Sequence, residues 1–244
     1  PAVIDAWLAG GFQLPNDLSK EDLHWAVKSQ IPPRQGLKSS AATAIGALRA
    51  LAESTKSEVS DEELVAMAAQ AQIEANVSLT GSIDDAWACL TPGWKLIDPQ
   101  ATSITEGVLF EGNGPKSEDW VVMVVCRGER SKRPELEDFI PHAASYQNSL
   151  SALQEMNELV ALTWNGRGTV AVMNDVQGKK ITNDAILNGA RAAGMTGSGN
   201  AIIVVAPKVS QPTCDRLLKL FDRNQDIVKV IETSFLSIEE EEEM

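Results

Sequence analysis

Ile31-Pro32-Pro33-Arg34-Gln35-Gly36-Leu37-Lys38-Ser39-Ser40-Ala41-Ala42 is the stretch on which the reading of this chain turns. The paired prolines end any helix or central strand that precedes them. Gly36 permits a tight turn, and behind it Ala41, Ala44, Ile45, Leu48, Leu51 and Ala52 recur at helical spacing. The pattern predicts a helix of about four turns. Most of its residues are small, so a neighbour can approach its backbone closely. A glycine turn feeding a helix N-terminus offers unpaired amides and the positive end of the helix dipole to an anion. Serine hydroxyls there can bond phosphate oxygens or sit on Mg2+, and Lys38 adds a cation. The plainer reading is that Ser39 or Ser40 caps the helix, as serines routinely do.

Upstream of this stretch, Ala2–Leu8 reads as a short helix ending near Gly10-Gly11, where glycine suits a left-handed cap. Leu23–Ile31 has strand-like patches that stop at the prolines. Downstream, Ser60-Asp61-Glu62-Glu63 is a capping-box pattern opening a helix with Leu64, Ala68, Ala71 and Ala75 as its apolar stripe and Glu74 at the edge. Another helix starts after Thr80-Gly81-Ser82, with Asp84 and Asp85 in its first turn. Residues 99–118 are rich in Gly, Ser and Thr and weakly periodic, which places a domain boundary there, dividing 1–115 from 116–244.

The second half opens with a buried-strand candidate, Trp120–Cys126. Helical patterns follow over residues 134–164 and 183–193, then a glycine loop at Gly194–Asn200 and a strong strand at Ala201–Ala206. Pro212 sits at a favoured helix start ahead of Leu217, Leu218 and Phe221, and Ile227–Leu236 reads as a final strand. The order of elements predicts an α+β fold with an antiparallel sheet. The run Glu239–Glu243 reads as a solvated tail.

Composition narrows the function classes. The 244 residues are 43% apolar, enough for a sizeable core, and carry a formal charge of −13. So acidic a chain is a poor general nucleic-acid binder, although a local basic pocket for a small phosphate ligand is compatible with it. The three cysteines stand far apart with no metal-ligand spacing and read as reduced, mostly buried thiols of a cytoplasmic protein. No apolar run approaches the ~18 residues of a membrane span, and no signal peptide is visible. Neither GxxxxGK[ST] nor GxGxxG occurs, so the P-loop and Rossmann readings have no support. With only His24 and His142, a histidine-rich metal site has none either.

Two further segments can carry chemistry. Gly194-Met195-Thr196-Gly197-Ser198-Gly199 allows close backbone approach to a ligand, or is an ordinary helix-to-strand turn with Gly194 as the cap. In Thr80-Gly81-Ser82-Ile83-Asp84-Asp85-Ala86, a first-turn carboxylate can take a proton from a hydroxyl or hold a metal, or simply complement the helix dipole. Glu74 likewise reads as a solvated helix residue or a metal ligand.

Taken in order, a Gly-Leu-x-Ser-Ser-Ala turn, a Gly-x-x-Asp segment and a Thr-Gly-x-Gly loop resemble the GHMP kinase superfamily. The wording "IPPRQGLKSSAA", "LTGSIDDAWA" and "AAGMTGSGNA" looks like its archaeal-type shikimate kinase branch. The resemblance implies a ribosomal-protein-S5-like N-terminal domain and a ferredoxin-like C-terminal domain. It implies ATP and Mg2+ as cofactors and shikimate as the small-molecule partner, phosphorylated to 3-phosphoshikimate. Homoserine or mevalonate phosphorylation and a non-catalytic binding module are the alternatives. By the same resemblance Pro33, Arg34, Gln35, Gly36, Leu37, Lys38, Ser39, Ser40 and Ala41 wrap the ATP phosphates. Ser40 and Glu74 hold the metal, and Thr196, Gly197, Ser198 and Gly199 lie near the phosphates and shape the acceptor site. Asp84 matches the catalytic base and Asp85 its neighbour, where many relatives have Asn. Lys38 departs from the Gly common in the superfamily. The first family motif has no counterpart here, and the chain begins at Pro1, so the resemblance implies about fifty further residues in front.

Overall fold

Helix α1 (Ala2–Ala9) opens the chain and stops at the glycine pair: Gly10 N–H returns to Ala6 O at 3.0 Å and Gly11 takes φ +87°. The computed structural model describes residues 2–78, 80–81, 83–101, 103–130 and 132–236; Ser82 and the acidic run Glu239–Glu243 lie outside them. The chain forms two compact units. The first comprises the chain up to Ile31 together with Lys38–Gly112, and the second Pro32–Leu37 together with the chain from Asn113 onward.

In the first unit α1 packs with α2 (Ser39–Thr55) and α3 (Asp61–Glu74), followed by the short α4 (Asp84–Trp87) and an antiparallel hairpin of β1 (Trp94–Ile97) and β2 (Val108–Gly112). Trp7, Leu48 and Val65, one from each long helix, are wholly buried at its centre. The Ser60 capping box forms as its sequence requires, with Ser60 N–H donating to Glu63 at 2.8 Å and Glu63 N–H to Ser60 Oγ at 3.2 Å. Helix α2 is longer than its apolar pattern indicated, at 17 residues. Neither serine caps it: the N-cap is Lys38, in a left-handed conformation at φ +55°, with no side-chain cap.

The strand expected at Leu23–Ile31 is absent. Extended backbone becomes a strand only when a neighbour takes its hydrogen bonds, and none of the described residues does so. Trp25 and Val27 are therefore exposed, and the segment lines a groove of about 460 Å3 against Ala42, Gly46, Ala47 and Ala50 on the small face of α2.

The second unit is built on β3 (Trp120–Cys126), α5 (Ala143–Gln154), α6 (Glu158–Val172), α7 (Val176–Leu187), β4 (Ala192–Met195), β5 (Ile202–Pro207), α8 (Gln211–Asp222) and β6 (Lys229–Thr233). Its sheet runs β4-β5-β3-β6 with every neighbour antiparallel, which is the βαββαβ arrangement of ferredoxin-like domains. One face buries Met123, Val125, Ile202 and Val204 against Ile181 of α7 and Leu217 and Phe221 of α8. The expected helix over 183–193 is displaced. Asp175 caps α7 by accepting Gly178 N–H at 2.8 Å, and residues 192–195 join the sheet. Gly194 is thus a strand residue rather than a helix cap. A Cβ there would stand 2.7 Å from Gly166 Cα, so the Gly166–Gly194 pair lets α6 lie directly on β4.

Candidate functional site

The Pro32–Leu37 turn belongs to the second unit because Leu37 packs against Val124, Cys126 and Ala201 on the second face of the sheet. Its backbone is held residue by residue. Arg34 O accepts Arg130 N–H at 3.2 Å, Gln35 O accepts Ala201 N–H at 3.1 Å, and Gly36 O accepts the Thr196 hydroxyl at 3.3 Å. The Gly194–Asn200 segment therefore divides: its first residues close the sheet, and Thr196–Gly199 form a bed for this turn. Only glycine fits at the contact. Gly36 sits at φ +77°, and a Cβ on Gly199 would overlap the Gln35 carbonyl carbon and the Gly36 amide nitrogen.

Basic side chains surround this contact. Arg127 Nε donates to Asn200 O at 3.0 Å, and its guanidinium pairs with Asp175, the half-buried cap of α7. Arg130 Nη1 donates to Ser198 O at 3.0 Å, and Arg34 pairs with Glu129 at 2.9 Å. Burial first, and then the charges of Arg133 and Arg34, hold the Arg130 guanidinium below its ordinary pKa. A chain of net charge −13 thus concentrates cations beside its glycine loop.

In the first unit, the N–H groups of Ser39, Ser40 and Ala41 have no acceptor among the described residues, since the N-cap provides none. Lys38 contacts Asp84 at 3.4 Å and also pairs with Asp85. Burial of Ala86 and Trp87 anchors α4 and leaves its two aspartates facing this lysine. Burial lowers the Lys38 pKa, but the two carboxylates outweigh it and hold the ammonium above its ordinary value. Burial raises the Asp85 carboxyl; Lys38 pulls it down and Asp84 pushes it up again, and the balance lies above the ordinary carboxylate value. Lys38 is thus a partner of the two aspartates.

The Ser40 and Glu74 metal pair does not form. Ser40 Oγ donates instead to Gln72 Oε1 at 3.3 Å, and Gln72 is 3% exposed. Glu74, two residues on and so on another face of α3, is exposed and accepts from Gln70 at 3.0 Å. Mg2+ favours carboxylates with water and substrate phosphates. The residues beside Ser40 supply only a hydroxyl and a neutral amide, and do not fit a protein-held magnesium site. No group of three or more His, Cys, Asp or Glu suited to a metal occurs among the described residues.

Gln72, Arg127 and Arg130 escaped the sequence reading. Gln72 lies four residues after Ala68, in line with the apolar stripe of α3, and a polar residue at a core position was the available signal. Arg127 follows directly on the apolar strand Trp120–Cys126. Nothing in the sequence alone marks Arg130.

Comparison with known proteins places this architecture. Residues 8–93 match the GHMP kinases N terminal domain. Residues 8–93 thus resemble that domain, and the chain shares its fold with solved mevalonate and homoserine kinases. Among curated proteins it is similar to the shikimate kinase of Methanocella arvoryzae, 34% identical over 83 residues, which is 34% of this chain and 29% of that protein. The shikimate kinase of Thermococcus kodakarensis is 39% identical over 66 residues, 27% of this chain and 24% of that one. The matched stretch therefore spans less than a third of either relative's length. Among solved structures, Leishmania major mevalonate kinase in complex with R-mevalonate aligns with a TM-score of 0.59 at 17% identity, covering 85% of this chain and 68% of that one. Homoserine kinase from Cytophaga hutchinsonii aligns with a TM-score of 0.59 at 16% identity, covering the same 85% and 68%. No helix among the described residues is long and apolar enough to cross a membrane.

Proposed function

We propose that the chain is the phosphotransferase part of a small-molecule kinase that moves the γ-phosphoryl group of ATP to a hydroxyl of shikimate. The observation that carries this reading is the Gly36 turn, seated backbone to backbone on Thr196–Gly199 and followed at once by a helix whose first amides lack acceptors. Unpaired amides at a helix N-terminus suit phosphate oxygens, and phosphoryl transfer asks a protein chiefly for positioning and charge stabilisation. The residues present fit the phosphates of ATP at this level: Ser39, Ser40 and Ala41 supply amides at the start of α2.

In this reading Asp84 accepts the proton of the acceptor hydroxyl as its oxygen bonds to phosphorus and ADP departs. Such a base contributes ~10²–10⁴ in rate. Lys38 pairs with both aspartates and pulls the Asp85 carboxyl back toward its ionised form against burial and Asp84. No step is assigned to a metal ion. Choosing shikimate over other alcohols rests on the resemblance of Thr80–Ala86 and on the shikimate kinase relatives. The mevalonate and homoserine kinases share the fold at identities that speak for the fold alone. Coupled ADP release with shikimate, homoserine and mevalonate tests the assignment. Turnover fastest with shikimate supports it, and faster turnover of either other alcohol overturns it.

A further inference from the structure

Arg130 is a half-buried cation to which no carboxylate pairs among the described residues. Its guanidinium donates through Nη1 alone, to Ser198 O at 3.0 Å and to the Ser198 hydroxyl. Its backbone N–H reaches Arg34 O at 3.2 Å, which brings a second arginine alongside, and Arg133 stands close enough to act on its charge. The neighbouring carboxylate, Glu129, is paired with Arg34 at 2.9 Å. With 34 acidic residues in the chain, this excess of cations is a matter of placement and not of supply. Like charges gathered in a half-buried place repel one another, and an anion relieves them. The donors left over, Nε and Nη2, form the planar fork of a guanidinium, whose parallel N–H bonds match the two oxygens of a carboxylate.

We propose that Arg130, flanked by Arg34 and Arg133, binds the carboxylate of the acceptor, so that the enzyme takes hydroxy acids in preference to neutral alcohols. This rests on the kinase reading above and adds the class of acceptor to it. In that reading the phosphates fall to the amides at the start of α2, and the acceptor is the partner left to bring an anion. Ser198 pins Nη1 through its carbonyl and its hydroxyl, and so aims the opposite edge of the guanidinium.

Arg130→Met and Arg130→Lys are compared with the parent protein on shikimate and on its carboxamide, which keeps the ring and hydroxyls and lacks the charge. KM and kcat are measured for each compound at saturating ATP, and ATP affinity is followed by calorimetry. A hydrogen bond to a charged group is worth about ten-fold to a hundred-fold in affinity. The parent should therefore favour the acid over the amide by about ten-fold or more in kcat/KM, and Arg130→Met should bring the two within about three-fold, chiefly through KM for the acid. Arg130→Lys, charged but without the fork, should recover part of the preference. Equal losses for acid and amide in Arg130→Met would make the residue structural and overturn the proposal. So would an unchanged preference, or a fall in ATP affinity with the preference kept, which would assign the guanidinium to the nucleotide. A parent that phosphorylates both compounds equally well overturns the carboxylate site and leaves the kinase reading standing. A parent that phosphorylates neither overturns the kinase reading, and this proposal with it.

Discussion

Gly199→Ala tests whether the seating of the turn on the glycine loop matters. Gly199 lies outside the left-handed region, so alanine costs its own backbone little, and the substitution acts through the added Cβ alone. That atom would overlap the carbonyl carbon of Gln35 and the amide nitrogen of Gly36. Both are backbone, so no rotamer change relieves the overlap, and the turn must lift. Lifting it endangers Ala201 N–H to Gln35 O at 3.1 Å, the Thr196 hydroxyl to Gly36 O at 3.3 Å and Arg127 N–H to Gln35 Oε1 at 3.1 Å. At about 1 kcal/mol each, and with some packing of Leu37 lost, the expected destabilisation is about 2–4 kcal/mol. Urea unfolding with an unchanged m-value reads the stability, and ATP titration reads the site. A variant within ~0.5 kcal/mol of the parent that binds ATP equally well would refute the reasoning.

Gly46→Ala is the counterpart on α2: its Cβ would meet nothing within 4 Å, and the helix interior favours alanine, so unfolding should show a gain of about 0.5–1 kcal/mol. Asp84→Asn should cut kcat by ~10²-fold or more with ATP affinity largely kept, and Asp85→Asn should be milder; the reverse ranking in steady-state kinetics would make Asp85 the base. Lys38 pulls the raised Asp85 carboxyl down, so Lys38→Met should move the titration of Asp85, followed by carboxyl NMR, to higher pH, and an unmoved titration would disprove the coupling. The same raised Asp85 carboxyl favours the folded state at low pH, and this contribution is lost as pH rises through its folded value; the raised Lys38 contribution persists until strongly alkaline pH.

Local chemistry was legible in the sequence, and pairing over distance was not. The Ser60 box, the glycine stop of α1 and the strand Trp120–Cys126 follow from residues that determine their own backbone. Leu23–Ile31 misled because a strand needs a partner, and β propensity cannot supply one. Ser39 and Ser40 resembled caps because their composition is that of caps; the left-handed Lys38 that takes the N-cap position is ion-paired with α4, 46 and 47 residues away, which no local pattern shows. Glu74 looked like a metal ligand by type. Only the rotation of α3 shows that Gln72 is the residue meeting Ser40. The glycine loop was recognised as a segment that permits close approach, but the partner it admits, the turn at Gln35-Gly36, lies about 160 residues earlier in the chain.

Phosphoryl transfer itself is the most direct test. The protein would be incubated with ATP and each acceptor in turn, and the products followed by phosphorus NMR. The account predicts that shikimate yields a new phosphomonoester with one equivalent of ADP, faster than homoserine or mevalonate does. ADP formed without a phosphorylated acceptor, or a phosphoester formed fastest from one of the other two alcohols, would contradict it.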